Sequence, residues 1–594
     1  MVCLKRIDIN MYLPKHLYQG NSTCTCDDCK NLKRFVDIYS KKARMIYEQD
    51  LFNFFITKAP FIQGDNIVMG NARNFDFTRN DEKEIIKEAV RFLNCNSTSY
   101  SDKNDIISVL NKILAYLYDE FNRIIDNPLK YLIGMFTCLE FNVFTTITLI
   151  LWFKDEKEMD SSEIKDVFVK GLIDSLEINR FTIKSNNVYH ELENILSHDK
   201  KCFELCIELL AVKLENKELD ELINDFNDTF NYGRLLEISR AIHTIHCLKT
   251  EYMEGTLNNT SLTFNPDGSI SNYSGIDFES FSTNYLKDMK SSKSFQIANN
   301  HLNSINSTSK HYIGFDSNEL NNLIEKIDET YGGGDEYLVG SITEWKKVLC
   351  ELSEQTEDEV EKLFNFLVQD RDKSKLYKEE SVRKNRALRK CLITINDTII
   401  CPVGLLRYAL IGITNDLRSG DIANKHIISE LQDVYNTINN SFVDHVSLLI
   451  STKYKSAKMI TNVEIKDIVV GNEIIEIPGE IDLLMLLKNR LFVIECKNLN
   501  LKITSKAIAN EYGRFKKRNS KAYQIKLDKK VAVIDKNKEK VAKFIDENSQ
   551  QKIIETIGLF TTSTFTIASL EEDLLYPVIT WTNLLDWFES NGYN

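Results

Sequence analysis

The sequence predicts a multidomain protein: a mostly α-helical N-terminal region, then a C-terminal α/β domain with a mixed central sheet flanked by helices. Three observations carry this. The 594 residues exceed the size at which a single hydrophobic core keeps growing. Only 7 Pro and 22 Gly interrupt the chain, too few breakers for a many-turned β architecture. After residue 458 the helical spacing of apolar residues gives way to short β-branched runs separated by turn residues.

From about residue 30 to 260, apolar residues recur three and four apart. The segments 81–93 (DEKEIIKEAVRFL), 105–125 (DIISVLNKILAYLYDEFNRII) and 198–226 (HDKKCFELCIELLAVKLENKELDELINDF) predict amphipathic helices. Asp81 and either Ser101 or Asp102 are their candidate N-caps. Residues 131–153 (YLIGMFTCLEFNVFTTITLILWF) have the ~20-residue length of a bilayer crossing. Glu140 and Asn142 near the middle oppose that reading, because an acidic side chain at that depth costs roughly 2.5–3.5 kcal/mol on insertion scales. A buried helix of a large α-domain is expected instead, and no membrane partner. Residues 263–312 (containing NPDGSISNYSG and NNHLNSINSTSK) are rich in Ser and Asn and predict a linker or insertion. Helical spacing returns over 344–370 and continues to about 455. The expected organisation is a helical region 1–262, the Ser/Asn-rich segment 263–312, a second helical region 313–424 and an α/β domain 425–594.

In the α/β domain, KMITNVEIKDIVV, NEIIEIPGEIDLLMLL and RLFVIECKN predict a strand meander. A basic helical segment (about 503–545), a strand within 552–565 and a closing YPVITWTNLLDWF follow, and a helix at about 427–452 covers one sheet face. The net charge of −13 argues against a protein that coats nucleic acid with its whole surface and leaves room for a local basic patch. Thirteen scattered cysteines and an opening MVCLKRIDIN without a signal-peptide core predict reduced thiols in the cytoplasm.

Within IPGEIDLLMLLKNRLFVIECKN (477–498), a turn centred on Lys488-Asn489 pairs residues whose numbers sum to 977. Asp482 then faces Glu495, and Glu480 faces Lys497. Period-two alternation projects all four from one face, with opposed Cβ atoms about 4.5–5.5 Å apart. Ile481, Leu483 and Met485 face the other way with Phe492, Ile494 and Cys496. Apolar Leu484, Leu486, Leu491 and Val493 continue the charged face, so both faces are expected to be covered, with a polar pocket at one end. Two carboxylates this close raise each other's proton affinity. A hard divalent cation removes that penalty, and Mg²⁺ characteristically takes one or two carboxylates. Lys497 beside it would orient or help deprotonate a water, or stabilise developing negative charge. The competing reading is a solvated strand edge with cross-strand ion pairs.

This arrangement resembles the PD-(D/E)XK nuclease superfamily, with Glu495-Cys496-Lys497 matching the Glu-x-Lys element and Asp482 the preceding acid. The wording GEIDLL…LFVIECKN looks most like its restriction-endonuclease-like branch, the Mrr-like and NERD-like domains, over about residues 425–590. The proline departs from the pattern: Pro478 stands four residues before Asp482 instead of beside it. The resemblance implies a restriction-endonuclease-like fold, catalysis by Asp482, Glu495 and Lys497, and Mg²⁺ or Mn²⁺ held by Asp482, Glu495 and the Cys496 carbonyl; the register adds Glu480 to the candidate catalytic set, either as a metal helper or as the salt-bridge partner that holds Lys497 in place. The resemblance also implies an added acid from the preceding helix, for which Glu430 and Asp444 are candidates, and a polar residue from the following one, Gln524 or Lys526. The implied function is a nuclease acting on nucleic acid, DNA before RNA, in a bacterial defence or restriction setting. The helical region would sense, recruit a defence partner or form homo-oligomers. The alternative is a nucleic-acid-binding or scaffold protein that keeps the fold without turnover.

Between Lys497 and Lys543, 15 Lys/Arg stand against 4 Asp/Glu, a net +11 that reverses the sign of the chain as a whole. Such a segment attracts phosphates without regard to base sequence. Arg514, Lys516, Lys517, Arg518 and Lys521, with Gln524 and Lys526, are the candidate nucleic-acid contacts. Cys24, Cys26 and Cys29 have a spacing suggestive of structural zinc, which needs a fourth ligand such as Cys3 or His16; the alternative is an incidental cluster. His198, Cys202 and Cys206, and likewise His243, His246 and Cys247, read as helix core and its edge.

Overall fold

The computed structural model describes residues 5–8, 27–58, 62–63, 66–67, 80–95, 97–154, 186–224, 229–254, 261–273, 302–331, 336–369, 387–420, 422, 424–499, 505–516, 522–549, 552–571 and 573–593. They form two compact units. One comprises 1–249, 261–272 and 305–427; the other comprises 428–594 with 250–260 and 273–304.

The first unit is mainly helical. Helix Lys103–Ile124 starts at Asp102, whose carboxylate accepts from the Asn104 and Asp105 amides at 2.8 and 3.1 Å, a direct cap of otherwise unpaired N–H groups. The long apolar segment lies in helix Pro128–Lys154. Its buried Asn142 donates to Tyr47 Oη and the Leu196 carbonyl, and Gly134 lies against Ala43 and Tyr232, where a Cβ would clash. Among the described residues no helix is long and apolar enough to cross a membrane.

Three expectations change here. The segment 344–370 is two helices, Ile342–Ser353 and Glu357–Leu367. Glu354 takes a left-handed backbone (φ 59°) and Thr356 with Glu359 closes a capping box, a local stop-and-restart that outweighs the continuous apolar spacing. The Ser/Asn-rich stretch is in part regular. Ser261–Phe264 and Ile270–Tyr273 join Ser99–Tyr100 in a sheet, and NPDG between them is a tight turn with Gly268 at φ 88°. Leu302–Ile313 is helical. Finally, the two helical regions share one unit that contains a four-stranded antiparallel sheet. Lys5–Asp8 pairs with Glu336–Ser341, which pairs with Thr398–Pro402 and through it with Ile393–Ile395.

The C-terminal unit is a five-stranded mixed sheet. Helix α1 (Gln432–Lys453) leads into β1 (Lys458–Val463), β2 (Ile481–Leu487) and β3 (Arg490–Lys497). Helices α2 (Ser505–Lys516), α3 (Tyr523–Lys536) and α4 (Lys538–Ile545) then cross to β4 (Glu555–Thr562), β5 (Val578–Thr580) and α5 (Leu584–Ser590). The spatial order is β1-β2-β3-β4-β5. The first three strands are antiparallel, while β3, β4 and β5 run parallel and so require the long helical crossover. The β2–β3 register pairs Leu483 with Ile494 and Leu487 with Arg490, the 977 register, with Lys488 left-handed (φ 54°) in the turn.

Both sheet faces are covered, which explains the nearly continuous apolar run LFVIEC. Leu483, Met485, Phe492, Ile494 and Cys496 pack against Val443, Val446 and Ile450 of α1 and Phe588 of α5. Leu484, Leu486, Leu491 and Val493 pack against Phe515 of α2, Leu527, Val531 and Ile534 of α3 and Val541 of α4. Ile481, expected on the α1 side, belongs to this second core; the β2–β3 ladder ends at Leu483, so simple alternation stops applying there.

Candidate active site

At the end of β2 and β3, where the ladder stops, three charged side chains converge on the face roofed by α3. Asp482 Oδ2 accepts from the Cys496 amide at 2.7 Å and from Lys497 Nζ at 3.3 Å. Glu495 Oε2 accepts from Lys497 Nζ at 2.9 Å. The same ammonium lies 3.4 Å from the Cys496 carbonyl oxygen. Burial, reinforced by the Glu495 charge, raises the Asp482 pKa above the ordinary carboxylate value, with Lys497 opposing the shift. At Lys497 burial works against the charged form, but the two carboxylates outweigh it and hold the pKa above that of an ordinary lysine.

A fourth charge completes the cluster. Lys530 of α3, 7% exposed, donates to Glu495 Oε1 at 2.5 Å and to the Glu480 carbonyl. Two carboxylates are thus matched by two ammonium groups, the condition under which buried charges are tolerated. Gly479, at φ 116°, shapes the turn that brings the Glu480 carbonyl to Lys530, and only glycine takes that backbone readily. Lys530 was missed in the sequence, although a signal was present. Tyr523, Leu527, Val531 and Ile534 form an apolar stripe at helical spacing, and Lys530 interrupts it on the same face.

The other candidates are dispersed. Glu480 precedes β2 with an exposed side chain, and Lys497 pairs with Asp482 and Glu495 instead, because the chains no longer run as a ladder beyond Leu483. Asp444 and Glu430 have exposed side chains, and α1, which carries Asp444, covers the opposite sheet face. Gln524 is buried and does not face solvent as a phosphate contact would. Its amide donates to the Tyr576 carbonyl at 2.9 Å and accepts from the Tyr576 amide at 2.7 Å. Lys516 is engaged by Glu571 at 2.9 Å and Tyr512 Oη at 2.6 Å. Arg514 and Lys526 are exposed. Lys517, Arg518, Lys521, Cys24 and Cys26, and the side chain of Cys29, lie outside the described residues.

The donor types suit a hard divalent cation, since the Asp482 and Glu495 carboxylates and the Cys496 carbonyl are all oxygens; here they gather within 3.4 Å of the Lys497 ammonium. Among the described residues no group of three or more His, Cys, Asp or Glu side chains is placed to hold a metal; the set here is two carboxylates and a carbonyl.

Residues 444–561 match the family described as NERD, nuclease-related domain. The C-terminal α/β unit carries a nuclease-related domain. The matched span opens in α1, closes in β4, and includes Asp482, Glu495, Lys497 and Lys530. No curated protein matches the chain. Among solved structures, the protein VC1899 from Vibrio cholerae is similar at 10% identity with a TM-score of 0.16, over 68% of this chain and 89% of that one. The nuclease-related domain thus places its motif acids and lysine at a sheet end, under a helix that supplies a second lysine.

Proposed function

We propose that the nuclease-related domain is a metal-dependent nuclease hydrolysing phosphodiester bonds of nucleic acid, DNA before RNA, in a defence or restriction setting. The helical unit would serve sensing, assembly or recruitment of a partner. The observation that carries the reading is the convergence of Asp482, Glu495 and Lys497 on one small volume at the end of β2 and β3. Asp482, Glu495 and the Cys496 carbonyl would hold Mg²⁺ or Mn²⁺, which supplies Lewis acidity and a more acidic bound water. Lys497 directs positive charge at the pocket, where it stabilises the charge that develops on the phosphoryl oxygens as water attacks phosphorus and the P–O bond breaks. The Asp482 contact to the Cys496 amide locks the two motif strands together, so acid and lysine keep their spacing. Exposed Arg514 and Lys526 offer phosphate contacts. The preference for DNA rests on resemblance to the restriction-endonuclease-like branch.

Purified protein incubated with plasmid, linear duplex, single-stranded DNA and RNA, in Mg²⁺, Mn²⁺ or EDTA, tests this. Cleavage is expected with metal only. Lys497→Ala should lower kcat by about 10²–10³-fold, the scale for losing one donor to developing charge, and Asp482→Ala should abolish turnover. Cleavage that persists in EDTA, or survives Asp482→Ala, overturns the site. Cation-independent binding without cleavage would favour a scaffold role.

A further inference from the structure

Lys530 lies outside the Asp482…Glu495-x-Lys497 pattern, 35 residues after Glu495 along the chain, yet it joins the charge cluster those residues form. Its ammonium is almost fully enclosed, with a side chain 9% exposed, and its two contacts go to β3 and to the turn that enters β2. One is Glu495 Oε1 on β3; the other is the Glu480 carbonyl in the turn entering β2. Burial alone does not mark a site lysine, since Lys130 is buried between Asp126 and the Thr229 carbonyl in the helical unit; what sets Lys530 apart is which groups it holds. Burying a lysine beside a carboxylate costs several kcal/mol of desolvation unless its partners are well placed, and these two partners belong to the site.

A carboxylate has two oxygens, and unconstrained it can rotate either toward the pocket. Lys530 occupies Oε1, leaving Oε2 to face Lys497. The same ammonium fixes the Pro478-Gly479-Glu480 turn from which Asp482 departs. We infer that Lys530 is a positioning residue of the catalytic site: it divides the two oxygens of Glu495 and ties the β2 entry turn to the crossover helix, thereby setting which carboxylate oxygen faces a bound cation and the substrate phosphate. This assignment rests on the nuclease reading above.

Three variants decide it. Lys530→Met keeps length and apolarity and deletes the charge. Lys530→Gln keeps a donor, and serves if the Met variant does not fold. Lys529→Met removes a lysine from the exposed side of the same helix and controls for net charge. Each is measured for cleavage rate at saturating Mn²⁺, for Ca²⁺ binding by calorimetry, and for melting temperature with and without Ca²⁺. Loss of an outer group that orients a metal ligand costs about 10–100-fold in activity or metal affinity. The expected result is that fall in kcat at saturating Mn²⁺ for Lys530→Met and a smaller fall for Lys530→Gln, with Lys529→Met at the wild-type rate. Melting of Lys530→Met should drop without Ca²⁺ and recover with it, because the cation replaces the missing positive charge beside Glu495. A Lys530→Met protein that is less stable but turns over at the wild-type rate when metal is saturating shows a purely structural lysine and overturns the assignment. A wild type that neither binds Ca²⁺ nor cuts any substrate removes the nuclease reading itself, a result distinct from the first.

Discussion

Gln524 and Lys530 share helix α3, and both are polar side chains turned inward, yet they serve different neighbours. Gln524 spends both ends of its amide on the backbone of Tyr576 and so staples α3 to the bend that leads into β5. Gln524→Ala leaves the Tyr576 backbone groups without their partner. It should destabilise the protein by about 1–3 kcal/mol, read from the urea midpoint, with no change in DNA affinity. A fall in DNA affinity with an unchanged urea midpoint would return Gln524 to the nucleic-acid surface. The sequence could not separate the two roles, since a glutamine beside lysines in a basic helix looks like a phosphate contact until the partner strand is in place. Asp482, Glu495 and Lys497 were legible for the opposite reason. The two-residue turn and the register it sets are local, and they bring the three residues to one sheet end although the ladder itself stops at Leu483.

At the scale of elements, the hairpin and the crossover differ in how far their determinants lie apart. β2 and β3 are neighbours in sequence, and their pairing follows from Lys488-Asn489 and the apolar pattern. The seat of α3 on β4 depends instead on Gly558, whose Cα faces Tyr576 and Val531 so closely that a Cβ would lie 2.6 Å from Tyr576 Cδ1 and 2.8 Å from Val531 Cγ2. Gly558→Ala should cost about 1–3 kcal/mol through overpacking and, on the proposed function, should slow cleavage as α3 shifts away from Glu495. A variant with wild-type melting temperature would mean that the helix yields without loss. The same logic accounts for the sheet in the first unit that went unread. Lys5–Asp8 pairs with Glu336–Ser341 across more than three hundred residues, and neither segment carries a local sign of the other.

For the whole molecule, acid should act on the helical unit through Glu359. Lys310 and the Thr356 amide and hydroxyl hold its carboxylate at a pKa of about 2, against an ordinary 4.5. Because the folded-state value is depressed, the stability it contributes is present above about pH 4.5 and is lost as pH falls toward 2. Glu359→Gln should therefore reduce the slope of stability against pH between about 4.5 and 2 and leave it unchanged at neutral pH, as followed by helical circular dichroism in urea. An unaltered slope would show that the pair is screened out by solvent. The two-unit organisation also accounts for the uneven legibility of the chain. Helical periodicity and the α/β texture each register within a few dozen residues, whereas the grouping of 1–249 with 305–427 rests on contacts that span the chain.

The crossover between β3 and β4 has a consequence for how the protein is made. Translation delivers Asp482, Glu495 and Lys497 first. Lys530, which claims one oxygen of Glu495, comes later, and so does Ser563, whose amide donates to the Lys497 carbonyl and whose hydroxyl bonds the backbone of Leu499. A chain that stalls on the ribosome before the crossover helix carries every letter of the motif without the contacts that hold it in shape. The order of synthesis therefore leaves the four-charge cluster incomplete until α3 and β4 have been added.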